Sequence, residues 1–144
     1  MSGDRPQPLH APGCVPLAVV GAHLSGQPLN WQLTDRGARL ALACRTSPDY
    51  RLYALANTTP PKPGLVRVSH GEGRGIEVEV WMVPEYRLGG FVAAVPPPLA
   101  IGSIQLESGE WVKGFVCEPA ALAGAVDITS FGGWRHYLAR AVPA

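Results

Sequence analysis

Charge is scarce in this chain. Asp, Glu, Lys and Arg make up only 16% of its 144 residues, and the formal net charge is +1. The arginines are scattered and no basic run occurs, so nothing marks a nucleic-acid partner. Long apolar runs are also missing, and none approaches the roughly 18 to 20 residues that a membrane span needs. Residues 1–13 are polar and Pro-rich, without an apolar core behind positive charge, so no secretory signal is expected. Three cysteines, Cys14, Cys44 and Cys117, are odd in number and widely spaced. They match neither a disulfide framework nor a zinc pattern, and we read them as reduced thiols of a cytoplasmic protein. The four histidines, His10, His23, His70 and His136, lack metal-ligand spacing, so no metal and no cofactor are expected. There is no Walker loop, dinucleotide fingerprint, G-x-S-x-G elbow or His-Glu-x-x-His pair.

What is present is apolar: hydrophobic residues reach 47%, enough for the core of one ordered domain. Fifteen prolines and seventeen glycines argue for many turns and short elements rather than a helical bundle. Residues 1–14 read as a flexible lead-in or linker, with the folded domain over 15–144. Strands are expected at 15–20, 38–45, 50–55 and 65–69. A Gly-rich hairpin turn is expected at 71–75. Over 76–82 the alternation is strict: Ile76, Val78 and Val80 share one face, and Glu77, Glu79 and Trp81 share the other, which reads as solvated. A helix is expected from Pro84 to Val95, then a hairpin of 102–106 and 111–117 around Glu107–Glu110. Short helical pieces are expected at 29–34, at 119–125 and after Asp127 or Thr129, near the close-packed Phe131–Tyr137 segment. That segment would cover one barrel end or form a homodimer contact. The sum is an α+β domain: a small mixed β-barrel or half-barrel with flanking helices.

One stretch organises the rest. The run Val15–Val20 stops at Gly21, and His23 sits in a loop between Gly21 and Gly26, where backbone N–H groups and one titratable side chain meet at the end of a sheet. His23 has two readings: an imidazole that moves a proton near neutral pH, or one held by backbone carbonyls to stiffen the loop. Spacing alone favours the second. Arg51 and Tyr53 project from one strand face and together suit a carboxylate, although Tyr53 in the core and Arg51 on a solvated edge fits the spacing somewhat better. Gln32, Lys62, Arg67 and Lys113 read as surface or loop-anchoring residues.

Six segments carry a resemblance. They are Ala18–Asn30 (AVVGAHLSGQPLN), Tyr50–Leu55 (YRLYAL), Pro60–Arg67 (PPKPGLVR), Ile76–Trp81 (IEVEVW), Trp111–Phe115 (WVKGF) and Asp127–Trp134 (DITSFGGW). Together they resemble the C-terminal domain of allophanate hydrolase. The resemblance implies a γ-glutamylcyclotransferase-like fold with substrate bound at the loop after the first strand. It implies decarboxylation of N-carboxycarbamate, the product of allophanate deamination in urea degradation, with His23 as acid/base group. The substrate would be a small dianion, with Gly21, Ala22, Leu24, Gln32, Arg51 and Tyr53 expected around it. The amidase part of such enzymes, with its Ser-Ser-Lys apparatus, has no counterpart here, so no amidase activity is expected from this chain alone. An allophanate amidase domain or subunit is the expected partner. The alternative is an accessory module that docks on the amidase through Trp134–Tyr137 or the 84–95 helix. A cyclotransferase stands third, because residues 85–95 lack the carboxylate base of that fold in the corresponding place.

Overall fold

The computed structural model describes residues 9–140. In chain order the strands are β1 (Cys14–Val19), β2 (Arg39–Arg45), β3 (Tyr50–Ala54), β4 (Pro63–Arg67), β5 (Glu77–Pro84), β6 (Leu99–Gln105), β7 (Trp111–Cys117) and β8 (Val126–Asp127). The helices are α1 (Trp31–Thr34), α2 (Glu85–Ala93) and α3 (Trp134–Leu138). Most of the expected lead-in, residues 1–8, lies outside the described residues. From Leu9 the chain is already held, since the Leu9 N–H donates to Glu110 Oε2 at 3.2 Å.

The apolar run of β1 makes it the middle of a five-stranded sheet, ordered β2-β5-β1-β7-β6. It pairs antiparallel with β5 and parallel with β7, so both its edges are occupied and Leu17, Ala18 and Val19 are fully buried. A second sheet, β4-β3-β8, packs beside β7. Gly64 permits that approach: a Cβ there would overlap the Cys117 and Leu55 side chains. The large sheet curls until its outer strands meet at one end. Thr46 bridges Leu106, the Ser47 N–H donates to Gln105 O at 2.9 Å, and the Glu107 N–H donates to Arg45 O at 2.9 Å. The result is the expected α+β half-barrel. No described helix is long and apolar enough to cross a membrane.

The β6–β7 hairpin forms as expected around Glu107–Glu110, with Gly109 at φ +93° making the turn. Three expectations need correction. Residues 71–75 are not a hairpin turn, because β4 belongs to the small sheet and β5 to the large one. The hairpin is instead β3–β4, closed by the Pro-rich loop. The helix after Pro84 ends at Ala93, while Gly89 and Gly90 lie inside it. The Glu77–Glu79–Trp81 face is solvated only at Glu77, which is part-exposed and paired with Arg45 and His136. Ile76, Val78 and Val80 are buried as expected, but Glu79 and Trp81 are buried too, because the His23 loop and α3 lie across that face.

Candidate functional site

The loop after β1 is fastened by its own backbone. Leu24 N–H donates to Gly21 O (3.0 Å), Leu29 N–H to Ala22 O (2.8 Å), and Asn30 Nδ2 to His23 O (2.8 Å). Gly21 serves packing more than turning: a Cβ there would overlap the Pro63 ring. Lack of that Cβ lets the start of β4, with Lys62 just before it, close onto the loop.

His23 is 7% exposed. Its ring lies flat on Phe115, with centroids 4.7 Å apart and planes 16° from parallel, and it meets Phe91 edge-on at 5.4 Å. Phe91, the buried residue of α2, reaches it from that helix, and Phe115 from β7. His23 Nε2 lies 2.7 Å from Gln32 Oε1. Gln32 sits on α1, where its carbonyl accepts from Arg36 Nη1 at 2.9 Å. With the amide oxygen facing the ring, Nε2 carries a proton and Nδ1 keeps its lone pair. Burial pushes the imidazole below its ordinary value near 6.5; the Gln32 bond opposes this, and the nearby Lys62 charge adds to it. The resting ring is therefore neutral at pH 7.

A cavity of about 210 Å³ opens beside the ring. It is lined by His23, Gln32 and Lys62, by Thr59 and Pro60 of the Pro-rich loop, by Ala94, Val95 and Pro96 after α2, and by Leu29, Leu99 and Phe115. A recess of about 10 Å³, lined in part by Gly21, Ala22, His23 and Lys62, shares four residues with it. Lys62 is 8% exposed, and its backbone N–H donates to Thr58 Oγ1 at 3.0 Å. No ion pair to it forms among the described residues. A largely buried lysine side chain with no carboxylate partner among the described residues, on one cavity with a neutral imidazole, is a receptor for a small anion. No group of three or more His, Cys, Asp or Glu that could hold a metal occurs among the described residues.

Comparison with known proteins bears on this arrangement. The model of the family described as allophanate hydrolase C-terminal domain matches residues 15–139. The chain belongs to that family. It is 51% identical to the urea amidolyase of Lachancea kluyveri over 127 residues, covering 86% of this chain and 7% of that protein. The solved S177A allophanate hydrolase of Kluyveromyces lactis is 52% identical with a TM-score of 0.85, over 88% of this chain and 21% of that one. An allophanate hydrolase C-terminal domain is thus a small part of these long relatives. A solved uropathogenic E. coli-specific protein, c4763, is 32% identical with a TM-score of 0.80, over 90% of this chain and 98% of its own. The same architecture recurs in solved proteins under 25% identical, a likeness of fold alone. The fold is γ-glutamylcyclotransferase-like, as the resemblance implied.

Within this allophanate hydrolase C-terminal domain the expected site residues divide. His23, Gln32, Gly21 and Ala22 gather around the cavity and its recess. Arg51 does not join them. Its Nη1 donates to Asp127 Oδ2 at 2.6 Å and its Nε to Glu72 O at 2.6 Å, in an open groove of the small sheet. Tyr53, opposite Gly64 on the same sheet, lines neither the cavity nor the recess. Leu24 is buried on the other side of the loop, in a cleft with Glu79, Trp134 and Arg135. The cation of the site is Lys62, which reads from sequence as a loop anchor. Its one signal is the Pro60-Pro-Lys-Pro-Gly64 run, where successive prolines fix the backbone on either side of a lone charge.

Proposed function

We propose that this domain removes CO2 from N-carboxycarbamate within urea and allophanate degradation, with His23 as the proton relay and Lys62 as the anion receptor. The observation that carries the reading is the pairing of a buried neutral imidazole with a buried lysine that forms no ion pair among the described residues, on one anion-sized cavity. The family membership supports it.

The substrate is an N–H group flanked by two carboxylates, and it bears two negative charges. One C–N bond breaks, its electron pair stays on nitrogen, and one proton must arrive there. The products are CO2 and carbamate, which keeps the second carboxylate. Lys62 binds one carboxylate. The second charge, beside His23, favours imidazolium against burial, so binding recruits a proton to Nδ1 that the ring then delivers to nitrogen. Gln32 keeps Nε2 occupied, which directs the exchange to Nδ1. The apolar groups on the cavity wall, Leu99 and Phe115 among them, lower the local polarity and strengthen both charge interactions. Ammonia release from allophanate belongs to an amidase domain or partner.

The test supplies allophanate and a separately prepared amidase, and follows CO2 release. His23→Ala and Lys62→Met should each slow it by roughly 100-fold or more with the fold intact. An unchanged rate in His23→Ala would sink the reading. One observation favours an accessory module instead: α2 exposes Tyr86 (84%) and Val92 (40%). That reading predicts co-purification with the amidase, dependent on Tyr86. The Trp134 end of the alternative docking surface is 3% exposed and stacked on Tyr137, so it is occupied within the domain.

A further inference from the structure

We propose that Glu79 is a positioning residue for His23, acting through Ser25, and that Arg135 of α3 holds Glu79 in that role. The proposal rests on His23 being the working group of the site.

Glu79 is 4% exposed near the start of β5, an inner strand of the large sheet, where a carboxylate is costly unless every lone pair is used. Its use is concentrated on one residue. Oε1 accepts the Ser25 N–H at 2.7 Å and Trp81 Nε1 at 3.1 Å; Oε2 accepts the Ser25 hydroxyl at 2.7 Å and Arg135 Nη2 at 3.0 Å. Arg135 Nη2 also donates to Ser25 O at 2.6 Å and Oγ at 2.9 Å. The N–H, hydroxyl and carbonyl of Ser25 are therefore all engaged by this one pair.

Ser25 lies two residues after His23, and the next residue, Gly26, leaves the loop at φ +79°. The segment between is pinned at both ends: Asn30 holds the His23 carbonyl, and Glu79 holds Ser25. Leu24 between them is buried. On the other side of His23 the Ala22 carbonyl is held by the Leu29 N–H, so a pinned segment on each side fixes the Cα–Cβ direction of His23, and with it the lie of the ring on Phe115 and of Nε2 against Gln32. Glu79 does not line the His23 cavity. It lines a separate cleft of about 370 Å³ with Leu24, Trp134 and Arg135, so it acts on His23 only through the loop. Burial pushes its carboxyl up, but the two Ser25 bonds, Trp81 and Arg135 together hold it below the usual carboxylate range. The grip is thus present as an anion near neutral pH. Arg135 makes α3, over a hundred residues further on in the sequence, part of the same clamp.

The test is Glu79→Gln, which keeps shape but turns an amide NH2 group toward donors. Two readouts are taken: the imidazole ¹⁵N resonances of His23, and kcat against KM in the coupled assay. The clamp predicts a shifted or exchange-broadened Nε2 signal and a kcat lower by roughly 10-fold or more with KM within about 3-fold. Arg135→Lys should restore more of both than Arg135→Met. Unaltered His23 resonances in a folded Glu79→Gln overturn the proposal. If that variant does not fold, Ser25→Ala, which removes only the hydroxyl arm, must perturb the same resonances, and no perturbation there overturns it equally. Were His23→Ala to leave CO2 release unchanged while Glu79→Gln still disturbed the His23 signal, the decarboxylation reading would fall and the positioning would stand.

Discussion

The imidazole of His23 lies nearly parallel to the Phe115 ring with 4.7 Å between centroids. Phe115 comes from β7, and His23 from the loop that follows β1, the parallel partner of β7. The ring cannot turn without unstacking. Phe115→Ala should therefore do more than open a void. It should cost about 3–5 kcal/mol of stability, as large-to-small core changes do, and broaden the His23 ring signals. Urea unfolding and the imidazole ¹⁵N spectrum check the two parts. Phe115→Leu, which keeps much of the volume without a π-face, should recover much of the stability and less of the ring order.

The buried imidazole ties stability to pH. Its folded-state value is below the ordinary one near 6.5, so in the window between the two the unfolded chain binds a proton that the folded chain does not. Stability then rises with pH through that window and falls on acidification from about 7. His23→Gln should flatten this part of the curve. Glu79 acts lower down. Its carboxyl is held below the usual range, so its contribution is full above that range and is lost as pH falls through the depressed value. Denaturant midpoints measured from pH 8 down to about pH 2 in the wild type, His23→Gln and Glu79→Gln separate the two windows.

Malonate replaces the NH of N-carboxycarbamate with CH2 and cannot lose CO2 by the same route. If the dianion sits between Lys62 and His23, binding must raise the His23 value and take up a proton. Calorimetry in buffers of different ionisation enthalpy should show that uptake near pH 7. His23→Gln should abolish it while malonate still binds. Lys62→Met should weaken binding itself by roughly 10-fold or more, the scale of a lost charge-assisted contact of about 1.5–3 kcal/mol.

Gly21→Ala probes how the site is assembled. The new Cβ would overlap the Pro63 ring, so the start of β4 must move away from the loop, taking Lys62 with it. A stability cost of roughly 1–3 kcal/mol is expected from overpacking. Malonate affinity should fall further than in a variant of equal stability loss elsewhere in the core, such as Ile104→Val.

The strand content and the His23 loop were legible because they depend on local pattern. Val15–Val20 is an unbroken run of buried and half-buried residues, and Ile76, Val78 and Val80 alternate onto the buried face as read. What failed to show depends on which elements come together. Alternation puts Glu79 and Trp81 on one face but does not say that the loop at Ser25 and Arg135 of α3 will cover it. Arg51 and Tyr53 belong to the small sheet, and only the pairing of β3 with β8 reveals that Asp127 already takes the Arg51 charge. Lys62 is thirty-nine residues from His23, and the two meet through the contact of Gly21 with Pro63. That contact appears in the sequence only as one glycine and one proline among many.

Under the proposed function this domain, through His23, consumes N-carboxycarbamate. The most direct measurement follows the carbonyl signal of ¹³C-labelled N-carboxycarbamate, generated from labelled allophanate by excess amidase. With the wild-type domain added, the signal should never build up, and CO2 should appear as fast as ammonia is released. With His23→Ala the signal should accumulate and decay at the rate seen without the domain. Equal decay with and without the wild-type domain would mean that the domain does not act on N-carboxycarbamate.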